Sequence, residues 1–388
     1  MYHFDEIIDR SNTDAIKLKY RKDIFGTDDV LPLWVADMDF RTPDFILNAI
    51  AERLKHPVLG YTAVPDNFQS VIADWVYRHH NLKVAENAIG FLPGIVPGLA
   101  FAVQAFTEKG DEIIVQPPVY YPFMNVVIKN RRKVVYNPLV KKDNLFQMDF
   151  EDLEQKITDK TKLLILCNPH NPGGRVWDED SLKKLAEICT RHNIPVISDE
   201  IHADMTFEQY THTPFANTSE EAANISVTYM APSKTFNMPG LIASYYIIPN
   251  EKLRNKLDTF LDKNELRGGN IFAYEATLAA YTQGEEWRRQ MLGYVQKNID
   301  DVVAYLQENI PEIAPMIPQA SFLVWLDCSR LGFASDDKLV DFFVSKAKLG
   351  FNRGTMFGPG GENHLRMNVA CSRTIIKEAL NRLHTALK

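Results

Sequence analysis

The chain has 388 residues, of which 45% are hydrophobic and 24% charged, and 43 Lys and Arg against 50 Asp and Glu leave a net charge of −7. That length exceeds one compact core and points to roughly two domains, with the balance of a soluble globular protein. No basic tract of the kind that follows a phosphate backbone is present, which argues against nucleic acid, and no apolar run reaches the roughly 18 residues of a membrane span.

The N-terminus, MYHFDEIIDRSNTDAIK, carries acids early and lacks an apolar signal core. Cys167, Cys189, Cys328 and Cys371 are scattered, with no C-x-x-C pair and no disulfide framework. A cytoplasmic protein is expected. The first 45 residues are loop-rich and include LPLWVADMDF (31–40), and GYT follows at 60–62.

From about 45 to 285 short apolar runs alternate with helical patterns. PGIVPG (93–98) opens the apolar pattern LAFAVQAF; a Gly-rich turn at a helix start presents free N–H groups to an anion. DEIIVQ (111–116) reads as a strand and leads into PPVYYPF (117–123), whose aromatics either pack in the core or offer a flat stacking surface. KVVYNPL (133–139) and KLLILCN (162–168) are further strands, and CNPHNPGGR (167–175) leaves the second. That segment is a plain turn of Asn, Pro and Gly, or a turn that places an amide at the sheet mouth, where ligands of open α/β sheets bind.

DEDSLKKLAEICTRHN then puts Leu182, Leu185, Ala186 and Cys189 on one helical face, with Asp178 or Asp180 as the cap. IPVISDE (194–200) follows as a strand. Strand, helix, strand at this spacing predicts an α/β fold with a mainly parallel sheet flanked by helices. SDEIHAD (198–204) places Asp199 at that strand's end, with Glu200, His202 and Asp204 after it. Neighbours on a strand point to opposite faces, so Asp199 and Glu200 do not readily share a metal. Beside a metal reading, possible because carboxylates and imidazole are ligands, the segment is polar residues leaving a strand or an acid at the sheet mouth serving a bound cofactor.

ISVTYM (225–230) and LIASYYII (241–248) are the next strands, and between Glu221 and Glu251 the only charged residue is Lys234. Lysine is rarely buried without a partner or a task. Past Gly284, a helix stop, EEWRRQMLGYVQKNIDDVVAYLQENI keeps a helical period. SFLVWLD (321–327) and HLRMNVA (364–370) read as strands, DKLVDFFVSKAK and RTIIKEALNRLHTAL as helices. The expected organisation is a large domain over 46–284 and a discontinuous smaller α+β domain from 1–45 and 285–388.

The chain has no G-x-G-x-x-G after a strand, no Walker A sequence and no H-E-x-x-H. Ala231 stands three residues before Lys234, so the S-x-x-K nucleophile pattern is missing too. An anion-binding turn, a flat aromatic, an asparagine, an aspartate and an isolated lysine would together suit a phosphorylated aromatic aldehyde joined to the lysine as a Schiff base.

With these features in that order the sequence resembles the fold-type I pyridoxal-phosphate enzymes, the aspartate-aminotransferase-like superfamily. Asp199 follows Asn171 by 28 residues and Lys234 follows Asp199 by 35, as in that superfamily. LPLWVADMDF, GYT, PPVYYPF, DEIHAD and APSKTFNMPGL are most similar to its MalY/PatB-like branch of cystathionine β-lyases and C–S lyases. The resemblance implies pyridoxal 5′-phosphate as cofactor and no metal. It implies Lys234 as Schiff-base lysine, Asp199 at the pyridine nitrogen, Asn171 at the 3-oxygen with His202 nearby, and Tyr120 stacked on the ring with Tyr121 facing substrate. The phosphate would lie on the N–H groups of Gly94, Ile95 and Val96 and on the Ser233 hydroxyl. Tyr61 would reach the site of a second subunit in a homodimer. Arg366 would pair with the carboxylate of an amino acid substrate, helped by backbone near Val35 and Ala36.

Two positions depart from the aminotransferase pattern: Ile242 stands where a phosphate-binding cation is common, and Ala231 where serine is common. Both lean toward the lyase branch. The implied reaction is α,β-elimination of a thioether amino acid to a thiol, pyruvate and ammonia. An aminotransferase of an L-amino acid is the alternative, since it shares every step through removal of the α-proton. A regulatory or binding role on the same fold is a second, disfavoured because Lys234, Asp199 and Asn171 are all present.

Overall fold

The computed structural model describes residues 1–388. Its centre is a seven-stranded sheet built from β1 (Ile89–Leu92), β2 (Glu112–Val115), β3 (Lys133–Tyr136), β4 (Thr161–Cys167), β5 (Val196–Asp199), β6 (Ser226–Met230) and β7 (Ser244–Ile247). Their spatial order is β1-β7-β6-β5-β4-β2-β3. Strands β2 to β6 run parallel, and β7 is antiparallel to both neighbours.

Alternation along each strand explains the unbroken apolar runs. Ile113, Val115, Leu163 and Ile165 pack with Leu99, Val103 and Phe123 of helices α1 (Ile95–Phe106) and α2 (Pro122–Lys129). Ile114, Leu164 and Leu166 face the other way, onto Leu182, Leu185 and Cys189 of α3 (Glu179–Arg191). Both sheet faces are covered, so both sets of side chains must be apolar. The α3 cap is Asp178, whose carboxylate accepts from the N–H of Ser181.

Three local features depart from the sequence-based expectations. β1 was not foreseen, because IGFL is short and Gly90 interrupts it; a Cβ at Gly90 would lie 2.2 Å from the Tyr246 ring of the neighbouring strand. The strand expected over 241–248 shrinks to 244–247, since Pro239–Leu241 form a 3₁₀ turn and Ile242 takes φ +54°. A hairpin of Val140–Lys142 with Leu145–Gln147 was also unforeseen.

A four-stranded antiparallel sheet follows in the order β8-β9-β11-β10, from β8 (Ala314–Met316), β9 (Leu323–Asp327), β10 (Asn352–Arg353) and β11 (His364–Asn368). Helices α4 (Glu285–Asn309) and α5 (Arg373–Leu387) cover it; Val295, Ile299 and Leu306 share a core with Leu326, Leu365, Ile376 and Leu380. The N-terminal segment joins this core, with the Phe4 ring 5.7 Å from Trp287 and 5.4 Å from Tyr294. No helix is long and apolar enough to cross a membrane.

The topology locates a site. Strand β2 connects outward to β3, whereas its neighbour β4 connects the other way to β5. The crevice beyond the carboxyl ends of two such strands is where open α/β sheets bind ligands. The loops after β2 and β4 meet there, with the Tyr120 N–H donating to the Asn171 carbonyl at 3.1 Å.

Candidate active site

A cavity of about 360 Å³ lies at this crevice. It is lined by the turn before α1 (Gly94, Ile95, Val96), by Tyr120 after β2, and by Asn171 after β4. Asp199 at the end of β5, His202 beyond it, and Ser233 and Lys234 after β6 complete the wall, with Ala36 across the opening. Five strand ends thus converge because the parallel strands all point the same way.

Asp199 is buried, and its carboxylate accepts from the N–H of Ile201 at 3.2 Å. Burial pushes this carboxyl up to about 7, opposed by that N–H; the Glu200 charge adds to the rise and Lys234 subtracts from it. His202 is buried with Nδ1 unpartnered, and burial, with the charges of Lys234 and Arg366, brings it down to about 3, so its imidazole is neutral. The Lys234 amine donates to the Ala36 carbonyl. Burial lowers Lys234 to about 8, with Asp37 resisting, Arg366 assisting and Asp199 resisting. A lysine so placed is partly neutral near neutral pH and can act as nucleophile and base.

Arg366 approaches from β11. Its guanidinium donates to Asn171 Oδ1 at 3.0 Å, Asn352 Oδ1 at 2.6 Å and the Trp34 carbonyl at 3.1 Å, and lies 4.9 Å from the Phe357 ring centre. Its partners are neutral, its Nε is buried and unpartnered, and burial lowers it to about 10. A buried guanidinium without a carboxylate partner is suited to receive one from a ligand.

The other expected residues are placed as follows. Tyr120 lines the cavity, and Tyr121 sits beside it with ring centres 5.2 Å apart, next to Phe357 at 6.4 Å. The Val35 carbonyl accepts from Asn368 and the Ala36 carbonyl from Lys234, so an N–H of this segment is what a carboxylate would use. Gly94 takes φ +102°, which favours glycine, but its N–H is already given to Ser244 Oγ at 2.9 Å. The N–H groups of Ile95 and Val96, opening α1, remain for an anion. Lys234 is the only Lys or Arg lining the cavity, and Ile242 lines it as an uncharged wall. Tyr61 is fully exposed, outside this chain's cavity.

Several residues were missed. Asn352 and Trp34, which hold Arg366, carry no local signal. Asn368 lies two residues past Arg366, hence on the same strand face, and that spacing could have drawn attention to it. Glu200 and Asp204 of SDEIHAD turn away from the cavity: Glu200 accepts from Ser198 Oγ, His212 Nε2 and the Phe215 N–H at 2.7 to 2.9 Å, and Asp204 accepts from Trp75 Nε1 at 3.0 Å and pairs with His80 Nε2 at 2.7 Å. No group of three or more His, Cys, Asp or Glu is placed to hold a metal ion.

The family model for aminotransferase class I and II matches residues 28–383. The chain belongs to that family. Among its relatives, cystathionine beta-lyase PatB of Bacillus subtilis (strain 168) is 45% identical over 99% of this chain and 100% of its own. The crystal structure of cystalysin from Treponema denticola, which contains a pyridoxal 5′-phosphate cofactor, matches with a TM-score of 0.96 and 32% identity over 100% of this chain and 99% of that one. The PLP-bound C-S lyase from Staphylococcus hominis matches at 0.92 with 34% identity over 100% and 99%. The large, mainly parallel sheet and flanking helices of this chain are the family's architecture.

Proposed function

We propose that the protein is a pyridoxal-phosphate-dependent C–S β-lyase, converting a thioether amino acid and water to a thiol, pyruvate and ammonia. The full-length relationship to a cystathionine beta-lyase carries this reading. The cavity fits the cofactor on its own terms. A desolvated carboxylate raised to about 7 calls for a cationic partner such as a protonated ring nitrogen. His202 offers an unpartnered buried nitrogen, Tyr120 a flat face, and α1 two open N–H groups.

In this reading Lys234 attaches the cofactor, Asp199 holds the ring nitrogen, Asn171 and His202 face the 3-oxygen, and Tyr120 covers the ring. Ile95, Val96 and Ser233 hold the phosphate. Bound there, the cofactor supplies an electron sink for the electron pair left when the α-proton departs. Arg366 binds the substrate carboxylate and thereby orients the α-carbon. The Lys234 amine, its pKa lowered to about 8 by burial, takes the α-proton in its neutral form. Tyr121 flanks the substrate side. The pair of electrons released at the α-carbon then expels the β-thiolate, and the enamine left behind hydrolyses to pyruvate and ammonia.

Tyr61 extends into the site of a second subunit of a homodimer in this reading, which accounts for a tyrosine left fully exposed. The four free, buried cysteines fit a reducing cytoplasm.

Purified protein is given pyridoxal phosphate and then cystathionine, with no keto-acid acceptor. Stoichiometric pyruvate and a new thiol support the lyase. No pyruvate from any thioether amino acid, with amino transfer to an added keto acid, supports an aminotransferase instead. Borohydride reduction followed by peptide mass spectrometry should place the cofactor's mass on the Lys234 peptide.

A further inference from the structure

The segment from Leu33 to Phe40 has no ladder of its own beyond its first residues, yet all of its carbonyls except that of Asp39 accept a hydrogen bond. Trp34 accepts from Arg366 Nη2 at 3.1 Å, Val35 and Asp37 from Asn368 Nδ2 at 2.6 and 2.7 Å, and Ala36 from Lys234. Met38 and Phe40 accept from Asn237 Nδ2 at 3.1 and 2.6 Å. Loop carbonyls are ordinarily left to water. Here the carbonyls of Trp34, Val35, Ala36, Asp37, Met38 and Phe40 are taken by side chains from two distant stretches, Lys234 and Asn237 after β6 and Arg366 and Asn368 on β11, and that of Leu33 by the Asn368 N–H.

Both asparagines are saturated in ways that fix their orientation. Asn237 Oδ1 accepts from the Met38 N–H at 3.0 Å, and Asn368 Oδ1 accepts from the Ala370 N–H at 2.8 Å. The amide nitrogens are therefore directed at the segment. Below it, Asp37 and Asp39 pair with Arg10 at 2.6 and 2.9 Å, and Asp39 also with the buried Lys17 at 2.9 Å. Segment 34–40 is thus held at both ends and from beneath.

We propose that Asn237 and Asn368 are positioning residues that make segment 34–40 a rigid bridge between Lys234 and Arg366. The bridge sets the Ala36 carbonyl against the lysine amine and the Trp34 carbonyl against the guanidinium. The proposal rests on the reading of Lys234 as base and Arg366 as carboxylate receptor. Its consequence is crossed: loosening one end is felt by the functional group at the other.

The test uses Asn237→Ala, Asn368→Ala and the isosteric Asn237→Asp and Asn368→Asp, which keep the volume but lose the donors. Lys234 reactivity is read in protein without added cofactor, as the labelling rate with an amine-reactive ester followed by peptide mass spectrometry. KM and kcat for a thioether substrate are read in the loaded enzyme. Losing one such hydrogen bond corresponds to about a 5- to 10-fold effect. Asn368→Ala should speed Lys234 labelling by about that factor, although it does not touch the lysine, and Asn237→Ala should raise KM by about the same factor. Labelling and KM that each respond only to the neighbouring asparagine overturn the bridge. Should the variants fail to fold, amide exchange in the wild type decides: the N–H groups of Met38 and Asp39 should exchange as slowly as those of β11, and fast exchange overturns the proposal. A wild type that cleaves no thioether sinks the lyase reading alone, because the labelling and exchange measurements still report on the bridge.

Discussion

Asp199 and Glu200 are neighbours in sequence, both carboxylates, both buried to within a few per cent of complete. They face opposite sides of one strand end and live differently. Glu200 is met by a hydroxyl, an imidazole and a backbone N–H. Asp199 is met by one backbone N–H and faces a cavity. The same division separates Asp204, held by Trp75 and His80, from His202, whose Nδ1 has no partner. Fully satisfied buried polar groups serve the fold, and partly satisfied ones around a cavity are arranged for something that arrives. The comparison separates a face of SDEIHAD that lines the cavity from a face locked into the fold.

The sharpest way to break that division is through the cavity face. Lys234→Ala should lower pyruvate release from a thioether substrate by on the order of 10³-fold or more, since it removes both the attachment and the base of the proposed reading. On the proposed reading, in which Asp199 holds the ring nitrogen, Asp199→Asn should cost about 10²-fold in kcat and should leave the cofactor-free protein no less stable to urea. Glu200→Ala should do the reverse. It strips partners from His212 and the Phe215 N–H and should cost about 3 kcal/mol of stability in urea melts. If Glu200→Ala folds as well as wild type, or Asp199→Asn unfolds the protein, the division fails.

Arg366→Lys should raise KM by about 10- to 100-fold with a smaller change in kcat, because an ammonium cannot reproduce the fork that meets a carboxylate. A pH series tests the same contrast more gently. The Asp199 pKa is raised on folding, so its contribution to the stability of the cofactor-free protein is full below the unfolded value near 4 and is lost as pH rises to about 7. Asp199→Asn should remove that portion of the slope in stability against pH between about 4 and 7. The smallest effect concerns the anion end. Gly94→Ala places a Cβ 3.3 Å from Ile242 Cγ2 at φ +102°, and should cost about 1–2 kcal/mol and weaken pyridoxal-phosphate binding in a spectral titration.

Legibility followed locality. Asn171, Asp199 and Lys234 could be read from the chain because each lies within a few residues of an apolar strand end, and strand ends announce themselves through composition and turn residues. The α/β class followed from strands apolar on both faces, and α3 with its Asp178 cap from helical spacing. Strand β1 escaped because four residues with a glycine carry no period, and β7 was misjudged in length because an α_L isoleucine is not a sequence signal.

Charge isolation around Lys234 and the order of residues after strands are properties of the chain itself, present before any folding. The direction of β7, the burial that leaves Asp199 open and Glu200 closed, and the meeting of Arg366 with Trp34 across 332 positions belong to the folded molecule. Periodicity and turn chemistry act over a few residues, whereas which strand lies beside which, and which carbonyl meets which amide, is settled only when the whole core is buried at once.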